Sequence, residues 1–81
     1  MATKVEKFTV QNPALTATSG VCTWTITNTI ASADVKVALY DVATGAQIGA
    51  YVEVGASNIV VKFNSSADIA ADTFKAVVLG L

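Results

Sequence analysis

The chain has 81 residues, of which 53% are hydrophobic and only 14% charged, and its formal net charge is −1. One small domain spanning residues 1–81 is expected from this length, and so small a domain cannot bury that much apolar surface alone. We therefore expect it to pack against copies of itself or against a partner. The five lysines and the absence of arginine argue against nucleic-acid binding, which needs dense cationic contacts to phosphate.

The residue types also limit the chemistry that the chain can perform. Histidine is absent, which removes the commonest general base and the commonest metal ligand. The single cysteine, Cys22, cannot form an internal disulfide, and we expect it to be a buried thiol. We predict no enzyme activity, no cofactor, no metal site and no small-molecule substrate.

Targeting signals are absent from the start of the chain and from its apolar runs. The first seven residues lack the apolar core of a signal peptide, and no apolar run is long enough to cross a membrane. We predict synthesis in the cytoplasm, no membrane association and no use of the secretory route.

The first two predicted strands are residues 4–10 and 21–28. In the first, Phe8 and Val10 share one face, and the Asn-Pro pair that follows ends the strand because proline lacks an amide proton. In the second, Cys22, Trp24 and Ile26 alternate with three threonines, a pattern typical of a half-buried strand. We expect Trp24 to be the largest side chain in the core.

A β-hairpin is predicted from residues 35–40 and 47–54, with Thr44-Gly45 as a two-residue loop. Side-chain alternation and charge pairing agree on one register for these strands. The predicted pairs are Leu39–Ala50, Val37–Val52 and Val35–Val54 on the inner side, and Lys36–Glu53 and Ala38–Tyr51 on the outer side.

The remainder of the chain predicts two more strands, at residues 59–63 and 73–79, joined by a short helical turn at 67–71. Ser65 is placed where it could cap that turn. About six short strands with no long helix predict an all-β fold, a small antiparallel β-sandwich with one helical turn.

Several predicted strands carry apolar residues on the side that should face water. Scattered surface hydrophobes are normal, but a contiguous second apolar surface would indicate oligomerisation or docking. We favour the second interpretation because the chain is small and poor in charge. The residues are Tyr40, Tyr51, Val60, Val77 and Leu79.

Polar residues offer weaker hypotheses. The four aspartates adjoin predicted turns, where their carboxylates commonly bond the backbone, so a paired acid–base site is not expected. The threonine row at Thr23, Thr25 and Thr27 is either an ice- or sugar-binding face or simply a β-favouring strand.

Several stretches follow one another in a particular order: Val-Cys-Thr-Trp-Thr-Ile-Thr-Asn at 21–28, Asp-Val-Lys-Val-Ala-Leu-Tyr-Asp at 34–41, Thr-Gly at 44–45, Asn-Ile-Val-Val-Lys-Phe at 58–63, the helical turn at 66–71 and Phe-Lys-Ala-Val-Val at 74–78. This order resembles the small β-domain of tailed-bacteriophage head fibre and tail fibre proteins. The chain departs from many of them at Thr29-Ile30, where they carry a turn of the His-Asn-Leu-Gly type.

The resemblance implies a virion surface protein, often trimeric. A short segment before the domain favours a capsid decoration or head fibre subunit, synthesised in the host cytoplasm and located on the capsid surface. The five outward apolar residues would form the homotrimer or capsid contacts. Val5, Phe8 and Val10, in a possible attachment segment at residues 1–13, would grip the major capsid protein. The alternatives are a receptor- or glycan-binding tip of a tail fibre and, less favoured, a small hydrolase.

Overall fold

The computed structural model describes residues 6–80, and within them the chain forms seven strands and no helix. The strands are β1 Lys7–Gln11, β2 Val21–Thr27, β3 Val35–Asp41, β4 Gln47–Ile48, β5 Tyr51–Val54, β6 Asn58–Asn64 and β7 Phe74–Gly80. One sheet has the order β1-β7-β3-β4 and the other the order β2-β6-β5, with every neighbouring pair antiparallel. The predicted all-β antiparallel sandwich is confirmed.

The alternation in β2 determines what the three-stranded sheet buries. Trp24 is only 2% exposed and lies opposite Val61 of β6, with Cys22 opposite Phe63 and Ile26 opposite Ile59 in the same ladder. The threonines between them face outward and are exposed. Trp24 is therefore the largest fully buried side chain, as its position in the sequence predicts.

The four-stranded sheet supplies the other half of the core. Ala76 and Val78 of β7 are fully buried, and Leu39 of β3 lies opposite Ala76. The two layers meet directly where Phe63 stacks on Phe74, with ring centroids 4.9 Å apart. One continuous apolar cluster thus holds the two sheets together.

The predicted hairpin register is wrong, because the loop has four residues and the returning strand changes sheet. The Asp41 carboxylate accepts hydrogen bonds from the amides of Ala43 and Thr44, and Gly45 closes the loop at a φ of 76°. Leu39 consequently lies opposite Ile48. Every predicted pair is replaced, including Lys36–Glu53 and Ala38–Tyr51.

The sheet change follows from where the side chains are buried. After Ile48 the chain crosses to the three-stranded sheet, where Val52 lies opposite Val61. Ile48, Ala50 and Val52 all pack against the core, two residues apart. The same two-residue alternation therefore points side chains into the core before and after the chain changes sheet.

The predicted helical turn is also absent from the described chain. Ile69 instead forms an isolated antiparallel bridge with Leu15, through backbone hydrogen bonds of 2.8 and 3.0 Å. The Ser65 hydroxyl bonds within its own turn, donating to the Ala67 carbonyl at 2.7 Å. Pairing with residue 15 extends this segment and prevents a helix.

The side chains of two buried asparagines hold loops in place through hydrogen bonds to the backbone. Asn12 is 1% exposed: its amide donates to the carbonyls of Pro13 and Ala70, and its side-chain oxygen accepts from the amide of Phe74. The Asn12 side chain therefore ties the end of β1 to the start of β7.

Asn28, which is 4% exposed, does the same at the end of β2. Its amide donates to the carbonyls of Ser32 and Gly55, and its oxygen accepts from the amide of Ile30. Since every side-chain hydrogen-bonding group is used, each asparagine can be buried at little cost.

Candidate interaction surfaces

The outer side of the four-stranded sheet forms the first surface, which we call the lysine face. It consists of the residues that alternate with the buried ones along β1, β3, β4 and β7. They are Lys7, Thr9, Gln11, Lys36, Ala38, Tyr40, Gln47, Lys75, Val77 and Leu79.

Strand register orders the lysine face into rows. Leu79 lies between Lys7 and Lys36, and the next row places Val77 beside Ala38. The Lys75 ammonium lies 5.8 Å from the centre of the Tyr40 ring, within range of a cation–π interaction. The centre of this face is thus apolar and half-buried, with cationic residues around it.

The lysine face is positively charged. It holds three lysines, Lys7, Lys36 and Lys75. Within the described strands of this sheet the only carboxylate belongs to Asp41, which lies opposite the inward-facing Phe74 and bonds the hairpin loop. Glu6 and Asp34 lie just before β1 and β3, so it is the strand positions of this face that carry the excess of positive charge.

The outer side of the three-stranded sheet forms the second surface, the threonine face. Its residues come from alternate positions of β2, β5 and β6. They are Val21, Thr23, Thr25, Thr27, Tyr51, Glu53, Asn58, Val60, Lys62 and Asn64.

Tyr51 is the most exposed large apolar residue described, at 58%. Its hydroxyl donates a 2.7 Å hydrogen bond to the Glu53 carboxylate, and the Lys62 ammonium lies 5.5 Å from its ring centre. The hydrogen bond and the negative charge of Glu53 both raise the pKa of the Tyr51 phenol above its ordinary value. The charges of this face are therefore balanced around an aromatic ring.

A cleft of about 610 Å³ opens beside Tyr51, where the chain crosses from the four-stranded to the three-stranded sheet. Its walls include Val21, Lys62 and Asn64, with Gly49 at the crossing. An aromatic ring next to an amide and an ammonium can both stack on a ligand and hydrogen-bond to it.

The five predicted interface residues divide between the two surfaces. Tyr40, Val77 and Leu79 belong to the lysine face, whereas Tyr51 and Val60 belong to the threonine face. The two faces point away from each other, because the sheets pack through their inner sides. One contiguous apolar patch made of all five is therefore excluded.

This division constrains any trimer. If each subunit contacted its neighbours through both opposite faces, the subunits would form an open stack. A closed ring requires the two contact patches of a subunit to be inclined to each other. A closed trimer can therefore centre its subunit contacts on only one of the two faces.

The predicted N-terminal grip requires a correction. Val5 lies outside the described residues, but Phe8 and Val10 are half-buried and pack against the core. With Trp24 and Ile26 they line a groove of about 480 Å³ between the β1 and β2 edges. Phe8 and Val10 do not project outward as a grip, because they lie on the inner side of β1, whereas Lys7 and Thr9 face outward.

The carboxylates behave as the sequence predicts where their contacts are seen. Asp41 bonds its own loop, and the Asp68 carboxylate accepts from the amide of Ala17 at 2.8 Å. Residues 6–80 contain no cluster of three potential metal ligands. Cys22 is a fully buried free thiol, and it donates a 3.5 Å hydrogen bond to the Ala67 carbonyl.

Sequence reasoning missed the three lysines as a group. The alternation of Lys36 with Val37 and of Lys75 with Ala76 indicates which side each faces. That β1, β7 and β3 are neighbours is a non-local pairing that the pattern of one strand does not reveal.

No family model, curated protein or solved structure matches this chain. No helix that could span a membrane occurs in the described part of the chain.

Proposed function

We propose that this chain is a non-enzymatic structural protein of a tailed-phage virion, a capsid decoration or head fibre subunit that binds the outside of the head. In the structure, the observation that supports it best is apolar side chains on the outer side of the central strands. Val60 of β6 and Val77 and Leu79 of β7 occupy positions that are normally polar when a sheet face is solvated. The major capsid protein is proposed as the partner because the order of sequence motifs resembles that of phage head fibre domains.

Homotrimerisation belongs to the same proposal, and the threonine face suits it better than the lysine face. Its single lysine, Lys62, and its single carboxylate, Glu53, flank Tyr51 and Val60. Copies that meet through this face bring no excess of like charge together, and they bury Tyr51, a residue type enriched at interfaces.

Binding to phage heads tests the proposal directly. Purified protein is mixed with heads of the encoding phage and sedimented, and the bound amount is measured against concentration. We expect saturation at a fixed number of copies per head. Excess unlabelled protein should displace labelled protein from these sites. Absence of saturable binding at micromolar concentration would contradict the proposal.

A receptor- or glycan-binding tip is the second candidate, and the cleft beside Tyr51 favours it. A sugar ring could stack on the exposed Tyr51 and hydrogen-bond to Asn64 and Lys62. A glycan array probed with the wild-type protein and with Tyr51→Ala tests it. Saturable binding that Tyr51→Ala abolishes would favour this function, whereas an array without signal would argue against it.

A further inference from the structure

The lysine face combines an apolar centre with an excess of positive charge at its strand positions, and both features limit what can cover it. Lys7 and Lys36 flank Leu79 on adjacent strands. Neighbouring strands are about 4.8 Å apart, so the two lysine backbones are separated by roughly 10 Å across the Leu79 strand. A partner that covers Leu79 must also meet both ammonium groups.

A second copy of the chain is a poor partner for this face. An isologous contact would bring the three lysines of one copy towards the same three of the other, with no strand carboxylate between them. Like charges brought together at an interface oppose association. The charge balance of the threonine face imposes no such penalty.

We infer that the lysine face docks on an acidic protein surface, with carboxylates of the partner around Leu79 and Val77 and within reach of Lys7, Lys36 and Lys75. Charge complementarity sets the orientation, and burial of the apolar centre supplies affinity. Identification of that surface with the outside of a phage head rests on the proposed function.

The inference predicts a particular sensitivity to salt. Exposed ion pairs weaken as ionic strength rises, whereas apolar burial does not. Binding to heads should therefore weaken from low to high salt without disappearing.

Two matched variants separate the contribution of the lysine face to binding from the effect of the protein's net charge. Lys7→Gln/Lys36→Gln removes two positive charges from the face. Thr16→Asp/Ser66→Asp changes the net charge by the same amount at exposed positions in connecting segments. Loss of two surface ion pairs should weaken binding of the first variant to heads about tenfold. The second variant keeps Lys7 and Lys36, so its binding should not change.

A second probe does not depend on phage heads. Polyglutamate is titrated into isotopically labelled wild-type protein, and amide shifts are followed by NMR. We expect shifts in β1, β3 and β7 and little change in β2, β5 and β6, where Lys62 already has Glu53 and Tyr51 nearby. A duplex DNA oligonucleotide is the comparison anion.

The outcomes distinguish the inference from the function on which it rests. Head binding that the Lys7→Gln/Lys36→Gln variant retains would overturn the docking face but leave decoration standing. No head binding, together with polyglutamate shifts confined to the lysine face, would overturn decoration and support an acidic protein partner of another kind. Shifts spread over both sheets, or tighter binding of DNA than of polyglutamate at the same amides, would overturn the inference.

Discussion

The two outer faces of this sandwich are built by the same alternation but differ in charge and in side-chain type. The lysine face surrounds Val77 and Leu79 with an excess of positive charge at its strand positions. The threonine face pairs its one lysine and one carboxylate around Tyr51 and presents threonines along β2. The difference shows that alternation along a strand determines which residues face outward. The charge and type of those outward side chains then determine what each face can contact.

The largest effect should come from a substitution in the core, which lies between the two sheets and supports both outer faces. Trp24→Ala removes the largest buried side chain, and a core substitution of this kind costs about 3–5 kcal/mol of the free energy of unfolding. Urea unfolding followed by circular dichroism measures the loss. Thr25→Ala, on the exposed side of the same strand, is the control and should stay within about 0.5 kcal/mol. Equal effects of the two variants would contradict the assignment of the core.

The asparagines allow the two layers to be weakened separately. Asn12→Ala leaves the groups at Pro13, Ala70 and Phe74 without their side-chain partner, and we expect a loss of about 2–3 kcal/mol. Hydrogen exchange should show faster opening at the start of β7 than in β2.

Asn28→Ala should give the opposite pattern, because its partners lie at Ile30, Ser32 and Gly55, at the loops that end β2 and β5. A similar loss of stability is expected, with exchange accelerated in the β5–β6 hairpin. Identical exchange profiles for Asn12→Ala and Asn28→Ala would show that these ties do not act locally.

Assembly should respond to one face only. Tyr51→Lys places a charge beside Lys62 in the proposed trimer contact, where it would be buried without a partner. We expect dissociation to monomers with a change in unfolding free energy of about 0.5 kcal/mol or less, since Tyr51 is exposed in the single chain. A trimer as stable as the wild type would refute the assignment of this face.

The smallest predicted effect is electrostatic. Glu53→Gln removes the charge that raises the Tyr51 phenol pKa, so this pKa should fall towards its ordinary value, as followed by carbon NMR of labelled tyrosine. A raised native pKa contributes stability that is present below the unfolded pKa of about 10 and is lost as the pH rises through the higher native value. An unchanged Tyr51 titration in Glu53→Gln would show that the hydrogen bond is absent in solution.

The sequence predicted the sides of the strands but not their neighbours. Alternation placed Cys22, Trp24 and Ile26 in the core correctly. It could not reveal that the chain changes sheet between Ile48 and Tyr51, because the inward positions keep the same spacing on both sides of the crossing.

The same limit explains the errors at the loops and at the candidate surfaces. The Asp41 carboxylate widens the hairpin loop, and residue 15 extends the segment around Ile69 that was predicted to be helical. The sequence predicts only that Asn12 follows the end of a strand, whereas its side chain bonds to Phe74, 62 residues away along the chain. Grouping the five apolar residues failed because membership of a sheet depends on such non-local pairing.

Molar mass in solution tests most directly the claim that the two faces have separate roles. Multi-angle light scattering at micromolar concentration should give three times the 8.3 kDa chain mass for the wild type and for Lys7→Gln/Lys36→Gln. Tyr51→Lys should give the mass of one chain. A monomeric wild type, or a trimer that survives Tyr51→Lys but is lost in the lysine variant, would contradict the account.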